Sequence, residues 1–286
     1  MGKSTRLVAD VRTHYDPPDD FFALFLDPTM TYTCAYFAEP NMTLEEAQLA
    51  NMDLAFGKLE LGSGKRLLDI GSGWGSAMLR AIAEYDAHAY GLTHSRNQYE
   101  YTRRALRGVP PWRIAEVEFA DWDQFGTPVD AVLAIGAIEQ IPRERYDDFF
   151  VHCFSLLPEG GRMLVQTVIG FDRFALHDRG LPADHEYKLF GEFLQDEVFP
   201  GGVVPEAKWV QDSVDAAGFR IEHMQSLRTH FARTLDIWSA ALMEHRDEAI
   251  SITSSDVYQR YLRYLTGCAE RFRRGFFDQV QYTLVK

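Results

Sequence analysis

Between residues 66 and 170 the chain alternates short apolar runs with stretches in which apolar residues recur every three or four positions. The runs at 67–70, 87–92, 117–119, 131–135 and 163–169 predict strands, and the segments near 75–85, 95–107 and 143–157 predict helices. Strand and helix in alternation predict an α/β fold, a largely parallel sheet with helices on both faces. Upstream, Thr43-Leu44-Glu45-Glu46 is a capping box that opens a helix, and Ala47, Ala50 and Leu54 follow at helical spacing. Residues 1–42 are irregular, yet they carry Tyr15, Phe21, Phe22, Phe25, Tyr32, Tyr36 and Phe37. So many rings must pack on a neighbour. Residues 171–199 interrupt the alternation, and an insertion of that length predicts a lid more than a structureless loop. Within it Phe190, Phe193, Leu194 and Val198 form an apolar stripe that reads as core. Helical patterns return near 205–217, 233–250 and 255–272, and residues 279–285 predict a final strand.

Composition narrows the function. The chain has 286 residues, 46% hydrophobic and 25% charged, the balance of an ordinary globular protein. With 42 acidic against 29 basic residues the formal net charge is −13, which disfavours nucleic acid as a partner. Three distant cysteines, Cys34, Cys153 and Cys268, suit a reducing compartment. No signal region and no apolar run of about 18 residues occur, so no integral membrane segment is expected. Met1-Gly2-Lys3-Ser4-Thr5-Arg6 has Arg where a myristoylation signal needs Ser or Thr. A cytoplasmic enzyme without a metal is the expectation.

The most informative stretch is Leu67-Leu68-Asp69-Ile70-Gly71-Ser72-Gly73-Trp74-Gly75. A buried strand enters a glycine turn and a helix starts directly after it, so backbone N–H groups can meet a ligand closely. The glycine spacing is Gly-x-Gly-x-Gly with an acid two residues ahead, unlike the dinucleotide fingerprint. It resembles motif I of class I S-adenosylmethionine (SAM)-dependent methyltransferases. After the second strand no acid is available to hold a ribose, but Thr93 and Gln98 can do so with neutral hydrogen bonds. Ser95 and Gln98 also have the spacing of a capping box. Asp121-Trp122-Asp123 follows the third strand, where a ring and an acid can hold adenine, or simply form a surface loop.

Further motifs sharpen the resemblance: residues 31–37 (Thr-Tyr-Thr-Cys-Ala-Tyr-Phe), Ile135-Gly136-Ala137-Ile138-Glu139, Phe199-Pro200-Gly201-Gly202, residues 232–238 (Ala-Arg-Thr-Leu-Asp-Ile-Trp) and Tyr264-Leu265-Thr266-Gly267-Cys268. From Tyr15 to Lys286 the chain resembles the mycolic acid cyclopropane synthases, relatives of the cyclopropane fatty acid synthases. The resemblance implies a seven-stranded class I methyltransferase sheet with a helical lid. It divides a single domain into an N-terminal cap (1–60), a cofactor-binding core (66–170), a lid (171–202) and the rest of the core (203–286). It adds Tyr32, Thr33, Ser72 and Ile135 to Asp69, Gly71, Gly73, Thr93, Gln98, Trp122 and Asp123 as expected SAM contacts.

The implied reaction is methyl transfer to an alkene carbon of an apolar acceptor, an unsaturated fatty acyl or mycolic-type lipid. Attack leaves a carbocation, and loss of a proton then gives a cyclopropane or a methylated alkene. In the family a bicarbonate commonly takes part, held by Glu, His and Tyr side chains and by backbone N–H groups. The matching positions here are Glu139, Gln166 and Phe231, with Cys34 and Ile135 supplying backbone. Two of the three side-chain ligands are changed, so bicarbonate is not expected in its usual role and Glu139 is expected to act as the base. The structural alternative for Glu139 is an acid at a helix start in a favourable dipole. The changed bicarbonate site and the lid cations Arg173, His177, Arg179, His185 and Lys188 make a short prenyl diphosphate such as isopentenyl diphosphate, or another specialised-metabolite alkene, an alternative acceptor. Methylation of a small molecule at O or N, or binding without catalysis, completes the alternatives.

Overall fold

The computed structural model describes residues 17–181 and 183–286; Tyr15 and the Met1–Arg6 segment lie outside them. Seven strands form one sheet: β1 (Arg66–Ile70), β2 (His88–Leu92), β3 (Ala115–Glu118), β4 (Ala131–Ile135), β5 (Arg162–Gly170), β6 (Arg220–Ser226) and β7 (Phe277–Val285). The order across the sheet is β3-β2-β1-β4-β5-β7-β6. Strands β1 to β5 are parallel, and β7 lies antiparallel between β5 and β6. This is the seven-stranded class I methyltransferase sheet that the motifs implied.

The helices are α1 (Asp19–Ala23), α2 (Leu44–Lys58), α3 (Ser76–Tyr85), α4 (Arg96–Ala105), α5 (Tyr146–Leu156), α6 (Arg173–Asp178), α7 (His185–Phe193), α8 (Ala207–Ala217), α9 (Arg228–Glu244), α10 (Arg246–Ile252) and α11 (Ser255–Arg274). Central strands are apolar on both faces because helices cover both. On one face Leu68, Val132, Ala134 and Val165 pack with Phe149, Phe150 and Cys153 of α5 and Val210 and Val214 of α8. On the other, Leu67, Ala131, Leu133 and Leu164 meet Met52, Ala55 and Phe56 of α2 and Ala77 and Ala81 of α3. The predicted capping box opens α2: the Glu46 N–H donates to Thr43 Oγ1 at 3.2 Å, and the Thr43 N–H donates to Glu46 Oε2 at 2.8 Å.

The N-terminal rings do find partners. Phe21 meets Tyr261 of α11 edge-on at 4.9 Å, and Phe22 lies 4.9 Å from Trp74. One short helix, α1, interrupts the otherwise irregular region. Strand β6 went unpredicted because it is an edge strand, mostly exposed, with only Ile221 and Met224 apolar. The single helix expected near 233–250 is two, α9 and α10, separated at His245, and α9 begins five residues earlier at Arg228.

The insertion folds as α6, α7 and one turn of π-helix (Leu194–Val198). Its ends are tied where the Gly170 N–H donates to the Pro205 carbonyl at 2.9 Å. Phe190, Phe193 and Val198 are buried in the aromatic cluster beneath α11, as the apolar stripe predicted. Phe190 lies against α11 where Gly267 has no side chain; a Cβ there would sit 2.2 Å from Phe190 Cε2. Arg271 covers the other side of that ring at 3.6 Å, and Arg263 lies over Phe193 at 3.9 Å. Gly267→Leu should therefore displace this insertion at a cost of about 1–3 kcal/mol. Limited proteolysis within residues 171–202 should speed up, and an unchanged cleavage pattern would count against this packing.

All five lid cations, Arg173, His177, Arg179, His185 and Lys188, are exposed. Arg179 stacks on Phe171 at 3.7 Å, and none of the five is turned inward to receive a diphosphate. They form a solvated face.

Candidate functional site

A cavity of about 820 Å³ opens at the carboxyl ends of β1, β2 and β4. Strand order reverses between β1 and β4, the switch point at which open α/β sheets place ligands. All eleven residues expected to contact SAM line this one cavity: Tyr32, Thr33, Asp69, Gly71, Ser72, Gly73, Thr93, Gln98, Trp122, Asp123 and Ile135. They come from five separate parts of the chain. No group of three or more His, Cys, Asp or Glu side chains among the described residues is arranged to hold a metal.

The glycine turn builds the floor. Gly71 and Ser72 both donate their N–H groups to the Leu92 carbonyl at 2.9 Å, which ties the turn to β2. Helix α3 then starts at Ser76 with no side-chain cap, so its first N–H groups remain for a ligand. Asp69 is 3% exposed, with Oδ2 unpartnered, and burial pushes its pKa up to about 7. Ser72 Oγ is likewise buried without a partner. These two orphaned atoms need an occupant that brings hydrogen bonds, and an ammonium suits the Asp69 carboxylate.

At the second strand the Thr93 hydroxyl donates to Gln98 Oε1 at 2.9 Å. The Gln98 side chain thus serves Thr93, and only half of the expected capping box forms, with Ser95 Oγ accepting from the Gln98 N–H at 3.4 Å. The Asp121-Trp122-Asp123 loop is held by Arg145, a residue the sequence did not single out. Arg145 donates to Asp123 at 2.7 Å and lies 4.5 Å over the Trp122 ring. Asp123 thereby spends its charge on Arg145, and one Trp122 face is already covered. Trp74 was also overlooked, although its place inside the glycine turn was a signal. It lines the cavity and donates from Nε1 to Asp19 Oδ1 at 2.8 Å, bringing α1 over the turn.

Of the five residues named for chemistry, only Ile135 lines the cavity. Glu139, Cys34, Gln166 and Phe231 lie behind its wall, Gln166 on β5 and Glu139 bonded to it at Val168. Glu139 Oε1 accepts from the Val168 N–H at 2.9 Å, while Oε2 is buried with no partner. Burial raises the Glu139 pKa, and the Val168 bond opposes that rise. The residue occupies one 3₁₀ turn, Ile138–Gln140, well before α5, so the helix-start reading loses its helix. Cys34 Sγ donates to the Ala35 and Leu227 carbonyls, and burial pushes its thiol pKa well up, so its side chain is left no nucleophilic part beside the backbone role expected of it. Phe231 packs on Phe272 at 4.8 Å and on Trp238.

These residues do not fit a bicarbonate held as the resemblance implied. Phe231 brings no hydroxyl. Gln166 already donates from Nε2 to Thr33 Oγ1 at 3.2 Å, and its Oε1 accepts from Gln281 at 2.7 Å.

Comparisons agree with this geometry. The mycolic acid cyclopropane synthetase family model matches residues 2–282. Cyclopropane mycolic acid synthase 1 of Mycobacterium tuberculosis is 48% identical over 278 residues, 97% of each chain. Methoxy mycolic acid synthase MmaA3 of the same organism is 48% identical over 284 residues, covering 99% of this chain and 97% of its own. Among solved structures, the cyclopropane synthase MmaA2 from M. tuberculosis superposes with a TM-score of 0.96 at 48% identity, covering 98% of both chains. Mycolic acid cyclopropane synthase CmaA1, solved with S-adenosylhomocysteine (SAH) and CTAB, gives a TM-score of 0.95 at 48% identity, also over 98% of both.

Proposed function

The chain belongs to the mycolic acid cyclopropane synthetase family, and from that premise we propose that it transfers the methyl group of SAM to an alkene carbon of an unsaturated acyl lipid. The observation that carries the reading is the single cavity lined by every residue expected to contact SAM. The relative solved with SAH supports the same cofactor. In this reading the whole chain works as one domain, with residues 171–202 as its lid. Asp69 pairs with the cofactor's ammonium, the glycine turn lies along its amino-acid end, and Thr93 with Gln98 holds the ribose.

A carbon–carbon double bond is a weak nucleophile, so the residues must aim it at the sulfonium methyl and exclude water. The new carbon–carbon bond takes the alkene's electron pair, and the methyl's old bond pair leaves with sulfur as SAH. The neighbouring carbon becomes cationic. Glu139 lies outside the cofactor cavity, and in this reading its unpartnered Oε2 faces the acceptor from behind that wall, where it steadies the cation and takes the proton. A proton lost from the new methyl closes a cyclopropane; one lost from the adjacent carbon leaves a methylated alkene. The exposed lid cations favour a lipid over a prenyl diphosphate. No helix among the described residues is long and apolar enough to cross a membrane. Three buried, unpaired cysteines support a reducing cytoplasmic setting.

Incubation with methyl-deuterated SAM and unsaturated acyl lipids, read by mass spectrometry, tests the proposal. A cyclopropane keeps two of the three methyl deuteriums and a methylated alkene keeps all three. Methylation confined to a hydroxyl or amine would overturn it.

Cofactor affinity should depend on Asp69. Below pH 7 its carboxyl is mostly protonated and cannot pair with an ammonium, so SAH affinity should climb through pH 7 and level off near pH 8. Because the folded pKa is raised above 3.8, the protonated group stabilises the unliganded fold at low pH, and that contribution fades as pH rises through about 7. Calorimetry across this range checks both limbs. A flat affinity would place the ammonium elsewhere.

A further inference from the structure

Helix α2 buries a stripe that is polar. Gln48, Asn51 and Lys58 recur at helical spacing, and Gln48 and Asn51 are fully buried. Facing them, the sheet carries three glutamines in one cross-strand row. Gln166 on β5 is in register with Gln281 on β7, and Gln281 is in register with Gln225 on β6. The side chains are joined end to end. Lys58 Nζ donates to Gln225 Oε1 at 2.6 Å and to Gln281 Oε1. Gln281 Nε2 donates to Gln166 Oε1 at 2.7 Å and to Asn51 Oδ1 at 3.1 Å. Gln166 Nε2 donates to Thr33 Oγ1 at 3.2 Å, and Thr33 lines the cavity.

A row of amides has no direction of its own, because turning each one over exchanges its oxygen and nitrogen. An ammonium can only donate. Lys58 therefore turns the carbonyl of Gln281 toward itself, which points the amide nitrogen at Gln166. Gln166 must then accept from Gln281 and donate to Thr33. At the far end the Thr33 oxygen is an acceptor within the protein, so its proton is left for the cavity. With the charge removed, the opposite order becomes equally available and the Thr33 proton is consumed by Gln166.

We infer that Lys58 is a positioning residue for cofactor binding, its charge acting through Gln281 and Gln166 to make Thr33 a hydrogen-bond donor to the cofactor. The inference rests on the reading of the cavity as the SAM site. Among the described residues no carboxylate pairs with Lys58. The nearby charges are Arg162 of β5, which donates to the Lys58 carbonyl at 3.4 Å, and its ion-pair partners Glu60 and Glu222. Burial lowers the Lys58 pKa to about 8, so the chain of amides should lose its direction in mild alkali.

Calorimetry with SAH tests this. Lys58→Met and Thr33→Val should each weaken binding about fivefold, roughly the worth of one neutral hydrogen bond. The double variant should be no weaker than either alone. Gln281→Leu, which cuts the link but keeps the charge, should give the same loss and serves if Lys58→Met fails to fold. In the parent, affinity should fall above pH 8, and Lys58→Arg should bind normally without that fall. Additive losses in the double variant, or an unchanged alkaline limb in Lys58→Arg, would overturn the inference while leaving the cofactor reading intact. A parent that binds no SAH at any pH would overturn both.

Discussion

Glu139→Gln should lower turnover by about 10²-fold or more while SAH affinity stays near that of the parent. The substitution keeps the shape and the bond that Oε1 accepts from the Val168 N–H, but it removes the ionisable carboxyl. Two consequences follow. The cation formed by methylation loses an opposite charge in a low-dielectric setting, where such attraction is strongest. The proton loses its acceptor. Phe231 and Gln166 offer no substitute, since one has no ionisable group and the other is a fully engaged amide. Affinity for SAH should hold because Glu139 does not line the cavity. Added bicarbonate should not rescue the variant. Turnover at the parent level in Glu139→Gln would sink the assignment, as would a strict bicarbonate requirement in the parent.

That Glu139 stands behind the wall was not legible in the sequence, whereas the cavity was. The glycine turn, Thr93, Gln98 and Trp122 all sit at the ends of strands whose apolar runs are plain, and chain direction in a parallel sheet brings those ends together. Any reading that finds the strands finds the cavity. The glutamine row is different. Gln166, Gln225 and Gln281 are distant in the chain and meet only through the register of β5, β7 and β6. One of those two pairings involves β6, whose exposed edge carries no apolar alternation. Lys58 reads as an ordinary basic residue at a helix end, the usual place for one. Its place against the amides of Gln225 and Gln281 depends on the angle at which α2 crosses the sheet, which no local pattern encodes. The lid illustrates a third case. Its apolar stripe was readable as core, but the direction of its cations was not, because a charge on an amphipathic helix can face a ligand or water with the same spacing.

Gly73→Val should abolish measurable SAH binding, a loss of about 100-fold or more, while the protein still folds. Gly73 has φ of +55°, and a Cβ built there meets no protein atom within 4 Å. The open space beside it belongs to the cavity, so a branched side chain would fill the path by which the cofactor approaches the turn. The backbone adds strain of about 1–2 kcal/mol, since a residue with a Cβ is disfavoured in the left-handed region. For a domain of this size that should lower the melting temperature by several degrees. Gly75 provides the contrast. Its φ is +85°, and a Cβ there would press within 2.6 Å of Thr102 Cγ2, so Gly75→Val should damage folding itself. The turn is also anchored by the Thr102 hydroxyl, which donates to the Gly73 carbonyl at 3.2 Å and remains in place in Gly73→Val. A pair of measurements separates the effects, thermal melting for the fold and calorimetry for the site. Gly73→Ala should fall between parent and Gly73→Val in affinity, with less strain than the β-branched valine. Should Gly73→Val melt a few degrees low yet bind SAH as tightly as the parent, the cofactor would lie away from the glycine turn.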